Sequence, residues 1–243
     1  VYLGKISDKY LDATFEATGA SAARLAADQL ERWTSLGKAA SPVFQSAVDD
    51  AIAATSALKP GAAAVEVLDN APTKGARLSE ASDFYRSSIR GAKDRLWVAS
   101  PGWTDPDMVA EMTAAAGRGV DVRVIASGKP PLHAPPITWS TRSALRELLA
   151  AGGKVFETPN VSHTKAIVAD NAAAVGSYNI TRRSALHDHE ITLATHEADV
   201  VKQVEQLFQN DFASATPLTL ADTTKGLGQR GMNFLYDKFP IAY

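Results

Sequence analysis

His163 and Lys165 stand two residues apart in the segment Val161-Ser-His-Thr-Lys165, and a second polar pair, Ser177 and Asn179, follows closely behind Gly176. In an extended strand, residues two apart share one face, so each pair presents both of its side chains to the same side. Residues 165–169 and 174–177 read as two strands joined by a turn at Asp170-Asn171, a hairpin signature. Pairing those strands brings the four side chains together. The set suits a phosphate ester. Lys165 brings a point charge, Asn179 an amide donor, Ser177 a hydroxyl, and His163 a nucleophile or a general acid. Asp170 falls in the turn, where a carboxylate accepts neighbouring backbone N–H groups, so a structural role fits it better than a chemical one. Glu190 lies further along and is placed to accept the His163 imidazole N–H, fixing its tautomer.

The elements around these residues alternate. Val65–Leu68 reads as a strand and 79–93 as a helix, with Ser79 as N-cap and Phe84, Tyr85, Ile89 and Ala92 facing inward. Leu96–Ala99 is a buried strand. Asp105-Pro106 starts a helix that ends near Gly117 or Gly119. Val120–Ala126 is a strand, Gly128–Trp139 a Pro-rich loop, and 141–151 a helix closed by Gly152-Gly153. Strands at 154–157 and 190–194 and an amphipathic helix over 198–212 complete the run. The pattern predicts an α/β sandwich with a mixed central sheet flanked by helices.

The first residues echo a later stretch. Asp12-Ala-Thr-Phe15 leads through Gly19 to a helix ending at Trp33, as Glu190-Ile-Thr-Leu193 leads to a helix ending at Phe212. A strand and one helix cannot close a core by themselves. Residues 1–36 are therefore expected to be the tail of a first repeat. Residues 37–63, rich in Ala, Ser and Pro, are the expected linker, 64–213 the second repeat, and 214–243 a C-terminal tail with no assigned place.

His163-x-Lys165-x-x-x-x-Asp170 followed by Gly176-Ser177-x-Asn179 resembles the HKD motif of the phospholipase D superfamily. Ile89-Arg-Gly-Ala92 running into Trp97-Val-Ala-Ser100, and Arg118-Gly-Val-Asp-Val-Arg123, are similar to it as well. The chain departs at one point: five residues separate Asp170 from Gly176, where the family usually has six. Either a shortened turn or a skewed site follows.

The resemblance implies a phosphodiester hydrolase or phosphatidyltransferase acting on a glycerophospholipid. His163, Lys165, Asp170 and Glu190 belong to its catalytic set, and Ser177 and Asn179 to the substrate-binding set. The family builds one site from two HKD motifs. One histidine attacks phosphorus to give a phosphohistidine, and the other protonates the leaving alcohol. Asp12 matches the carboxylate that orients the first motif's histidine, which makes His163 the second, acid–base histidine. The implied partners are a phospholipid and a second HKD motif from an upstream half or fragment, with a homodimer as the alternative. Other outcomes are an endonuclease of the same superfamily acting on nucleic acid and a non-catalytic scaffold half. The resemblance implies no cofactor and no metal.

Composition narrows the field. The 243 residues are 45% hydrophobic and 21% charged, enough for one large or two small cores. A net charge of −2 lacks the basic surplus typical of non-specific nucleic-acid binding. With no cysteine there is no disulfide, thiol nucleophile or thiolate zinc site. No apolar run reaches the ~20 residues that span a bilayer. His187, His189 and Glu190 are a conceivable zinc cluster, but exposed polar residues beside a strand are the simpler reading, as for His133 and His196. Trp103, Trp139 and Leu132 could line a lipid-facing mouth or pack in the interior. Phe234, Leu235 and Tyr236 could pack back or touch a membrane. The compartment is left open: soluble, secreted or cytoplasmic, with peripheral membrane contact.

Overall fold

Leu96-Trp97-Val98-Ala99 is apolar at every position, so a strand built from it needs cover on both faces. The computed structural model, which describes residues 10–13, 19–35, 37, 41–57, 64–71, 78–128 and 135–238, provides it. In chain order the elements are β1 (Tyr10–Leu11), α1 (Ala20–Ser35), α2 (Pro42–Ser56), β2 (Glu66–Ala71), β3 (Leu78–Ser79) and α3 (Glu80–Gly91). Next come β4 (Arg95–Ser100), β5 (Trp103–Thr104), α4 (Pro106–Gly117), β6 (Asp121–Ala126), α5 (Pro135–Ala144) and α6 (Arg146–Ala150). They are followed by β7 (Lys154–Glu157), β8 (Val161–Ser162), β9 (Ala166–Ala169), β10 (Ala172–Gly176), β11 (Ile180–Thr181) and α7 (Arg182–Leu186). The last are β12 (Glu190–Thr195), α8 (Ala198–Ser214), β13 (Thr216–Leu218), a 3-10 turn (Leu220–Thr224) and α9 (Leu227–Lys238).

The main sheet runs β13-β7-β6-β4-β9-β10-β12-β2-β3. β4, β6 and β7 pair in parallel, and the remaining pairs are antiparallel. The strand period of two divides the core. Leu96 and Val98 face Tyr85, Ile89, Met108, Met112 and Leu148 from α3, α4 and α6. Trp97 and Ala99 face Val201, Val204, Leu207 and Phe208 of α8. The expected mixed sheet flanked by helices is present.

Local chemistry explains most boundaries. Asp105 caps α4, accepting from the Asp107 and Met108 N–H groups at 3.1 Å, with Pro106 in the first turn. Gly119 (φ 92°) closes that helix and Gly152 (φ 96°) closes α6, in conformations that cost other residues strain. Ser79 does sit at the N-cap of α3, but its hydroxyl bonds to Asp83 and makes no cap bond.

Several expectations need correcting. The Pro-rich loop is shorter than expected, because Pro135 and Pro136 occupy the first turn of α5, where a missing N–H costs nothing. The linker region contains α2, started by Ser41 accepting from Phe44 N at 3.1 Å and followed by Pro42. Beyond residue 213 the chain still belongs to the sheet: β13 adds to the β7 edge and α9 packs on α5. Trp103 is 1% exposed and lies in the core, so it lines no open mouth. Leu132 and His133 lie outside the described residues.

Candidate active site

The hairpin of β9 and β10 holds the site at one end and its turn at the other. Ala169 pairs with Ala172, so Asp170-Asn171 is a tight two-residue turn. Asp170 takes φ 48°, a left-handed conformation that Asp tolerates better than most residues. Its carboxylate accepts the backbone N–H groups of Lys93, Asp94 and Arg95 at 2.9, 3.0 and 2.9 Å. Burial pushes this carboxyl upward, but those three donors and the Arg95 charge outweigh it and hold the group below the usual carboxylate range. Asp170 ties the hairpin tip to the turn before β4, at the far end of β9 from His163. Its observed contacts are structural, with the backbone of residues 93–95 and not with the other residues of the site. With this short turn β10 stays in continuous register with β9 and β12.

At the other end of β9, Gly176 donates from its N–H to Lys165 O at 3.1 Å. A Cβ on Gly176 would stand 2.3 Å from Ile191 O, so only glycine lets β10 approach β12 this closely. Ser177 and Asn179 then point to one side, with Tyr178 buried between them. His163 is exposed and Lys165 is buried. Lys165 Nζ donates to His163 O at 2.8 Å. Burial lowers the Lys165 ammonium to about 8, against the raising effect of Asp12 and Glu190. Two carboxylates far apart in sequence, Asp12 and Glu190, thus both favour this cation.

The carboxylate pairing differs from the expectation. β1 pairs in parallel with β8, Tyr10 opposite Val161 and Leu11 opposite Ser162. The next residue on each strand is Asp12 and His163, and Asp12 Oδ2 lies 3.4 Å from His163 Nδ1. Asp12 therefore faces the histidine of this chain. Glu190 does not accept from His163: it is buried, with its two oxygens taken by the Ser177 hydroxyl at 2.5 Å and the Ser184 hydroxyl at 2.6 Å. Burial raises the Glu190 carboxyl, offset in part by those two hydroxyls. Asn70 supports this cluster, donating to Ser184 O at 3.0 Å and accepting from Ser82 N at 3.1 Å. Sequence reasoning did not find Ser184 or Asn70, whose roles depend on partners distant in the chain.

A cavity of about 410 Å³ opens beside Ser177, lined by Gln29, Arg32, Ser177, His189 and Ile191. Arg32 of α1 reaches across to pair with Asp69 and to the Glu190 carbonyl at 3.5 Å. His187 and His189 are exposed. Among the described residues no group of three or more His, Asp or Glu side chains is placed to hold a metal ion.

A family model described as cardiolipin synthase, phospholipase D-like domain, matches residues 85–212, more than half of the chain. The chain belongs to this family. Cardiolipin synthase A of Pseudomonas putida (strain KT2440) is 36% identical over 155 residues, 61% of this chain and 32% of that protein. The same enzyme of Pseudomonas entomophila matches to the same extent. The chain thus spans about a third of the length of the curated relatives it matches. Among solved structures, phosphatidylserine synthase of Haemophilus influenzae overlays with TM-score 0.58 at 16% identity, covering 81% of this chain and 51% of that one. Nuc, a phospholipase D family member of Salmonella typhimurium, overlays with TM-score 0.54 at 19% identity, covering 64% and 98%. At those identities the overlays speak for the fold.

Proposed function

We propose that this chain supplies one half of a phosphatidyltransferase site acting on glycerophospholipids. The observation that carries the reading is the meeting of Asp12, His163 and Lys165 from two segments 151 residues apart in sequence, within a domain of the cardiolipin synthase family. Asp12 accepts from Nδ1–H of His163, a tautomer assigned from the geometry, which leaves Nε2 to carry the working proton. Lys165 and Asn179 bind the phosphodiester oxygens.

The second histidine comes from another HKD segment, and the cavity beside Ser177, whose hydroxyl bonds to Glu190, receives it. Glu190 then serves that histidine as Asp12 serves His163. In the first step the second histidine attacks phosphorus. The bond to the leaving alcohol breaks, and protonated His163 gives its proton to the departing oxygen. Neutral His163 next takes a proton from the incoming alcohol, whose oxygen attacks phosphorus and displaces the histidine. Transfer to an alcohol is favoured over hydrolysis by the names of the relatives, both cardiolipin synthases.

The test is a product assay on the assembled enzyme with labelled phosphatidylglycerol. The expected result is a phosphatidyl-alcohol product exceeding phosphatidic acid, unchanged by EDTA, because Lys165 and Asn179 provide the charge and donors that a metal would otherwise supply. Cleavage of DNA without phospholipid turnover contradicts the reading and selects the endonuclease alternative.

A further inference from the structure

Helix α9 is amphipathic in the wrong sense for water. Two of its polar residues face inward: Gln229 and Asn233 are 1% and 7% exposed. Gln229 donates to Trp139 O at 2.9 Å, and Asn233 accepts from the Ser143 hydroxyl at 2.6 Å and donates to Thr223 O at 2.8 Å. Three of its large apolar residues face outward: Leu227 is 87% exposed, Phe234 62% and Leu235 44%. Leu227 and Phe234 are seven residues apart, two turns along one side of the helix. The Gln229 and Asn233 amides tie the inner face to α5 and to the 3-10 turn, so the helix cannot turn over to bury its apolar side without breaking those bonds. Large apolar side chains grouped on one exposed face mark a surface with a partner.

We propose that this outer face of α9 seats the protein on an anionic phospholipid surface, with Leu227, Phe234 and Leu235 entering the headgroup–acyl boundary. Charge complementarity selects lipid as the occupant. Lys225 and Arg230 are both exposed at the rim of the apolar patch. The Asp222 carboxylate nearby is tied into a capping box with Thr219. Short helices with apolar residues on one side and cations at the rim lie in the plane of such surfaces.

Position also agrees. Gly228 lies directly against the Trp139 ring of α5, and α5 packs on β5. β5 pairs with β11, which begins immediately after Asn179. Two elements, α5 and β5, thus connect the helix to the strand that follows Asn179, a position suited to holding the site near substrate drawn from a bilayer. This inference rests on the phospholipid reading above.

Sedimentation of the 243-residue chain with sucrose-loaded vesicles tests it. The chain is expected to pellet with vesicles of equal parts phosphatidylcholine and phosphatidylglycerol and less with phosphatidylcholine alone. The double variant Leu227→Glu/Phe234→Glu is expected to bind at least roughly tenfold more weakly, with an unchanged melting curve, since both side chains are exposed. Lys225→Gln/Arg230→Gln is expected to erase the preference for anionic vesicles. Equal pelleting of the Leu227/Phe234 variant overturns the proposal. So does a wild-type chain that ignores vesicles and loses self-association in that variant, which would assign the face to a second copy. Binding is read without turnover, so the two readings fail separately. Vesicle binding without phosphatidyl transfer leaves this surface standing, whereas turnover of a soluble short-chain substrate without vesicle binding overturns the surface alone.

Discussion

Lys165 is a cation in a place that does not favour cations. Burial lowers its ammonium to about 8, and the two carboxylates that counter this, Asp12 and Glu190, are each engaged with another group of the site. The sign of the consequence is fixed. Below about 8 the empty site carries the charged ammonium, and above it the neutral amine. Only the ammonium attracts a phosphodiester, so kcat/KM of the assembled enzyme is expected to fall as pH rises through about 8. A bound phosphodiester keeps the proton on Lys165, so kcat shows the limb displaced upward or not at all. Lys165→Arg keeps its charge across this range and should lose the limb while working more slowly, because a guanidinium does not reproduce the point charge. A pH–rate profile of both proteins checks this; an identical limb in the Arg variant rules Lys165 out as its source. His163, Lys165, Ser177 and Asn179 could be singled out from the sequence because two-residue spacing alone pairs them. The partner of His163 was not legible. Asp12 reaches it only through the parallel pairing of β1 with β8, two residues long and between distant segments. Nothing local in the sequence encodes such a register.

At the scale of elements, the hairpin β9–β10 is fastened at both ends by single residues. Asp170 gathers three backbone N–H groups at the tip, and Gly176 permits the close approach to β12. Asp170→Ala removes the acceptor from all three donors and is expected to cost about 2 kcal/mol of stability in urea unfolding. The carboxyl is held low in the folded protein, so its contribution is present above the ordinary carboxylate range and is lost as pH falls through the folded value. The difference between wild type and variant should therefore shrink on acidification. A gap that is constant with pH contradicts the charged-acceptor account. The longer strands and helices between 64 and 213 were mostly readable because they carry their own signals, such as the Asp105-Pro106 start of α4 or the Gly152-Gly153 end of α6, whereas the two-residue strands, α7 and the start of α5 were not. α2 and α9 were not. The Ala-, Ser- and Pro-rich composition of one resembles a linker. In α9 the apolar residues point outward and the buried ones are Gln229 and Asn233, the reverse of the pattern that periodicity detects.

At the scale of the molecule, the domain carries one histidine with its carboxylate, Asp12 beside His163, and one buried carboxylate, Glu190, that meets no histidine among the described residues. The proposed division of labour follows from that asymmetry: His163 would move the proton, and a second histidine from another segment would form the bond to phosphorus. The proton is needed only when the leaving group is a poor one. An alkoxide requires it, whereas p-nitrophenolate departs without it. The most direct measurement is therefore pre-steady-state turnover of the assembled His163→Ala enzyme on two substrates, a natural phosphatidyl alcohol and a phosphatidyl-p-nitrophenol ester. The account predicts a loss of ~10²–10⁴-fold on the first and a retained burst of one p-nitrophenolate per site on the second, with an unchanged melting curve because His163 is exposed. Loss of the burst along with turnover would make His163 the nucleophile and contradict the assignment. Turnover of the natural substrate within a few-fold of wild type would remove His163 from the reaction altogether.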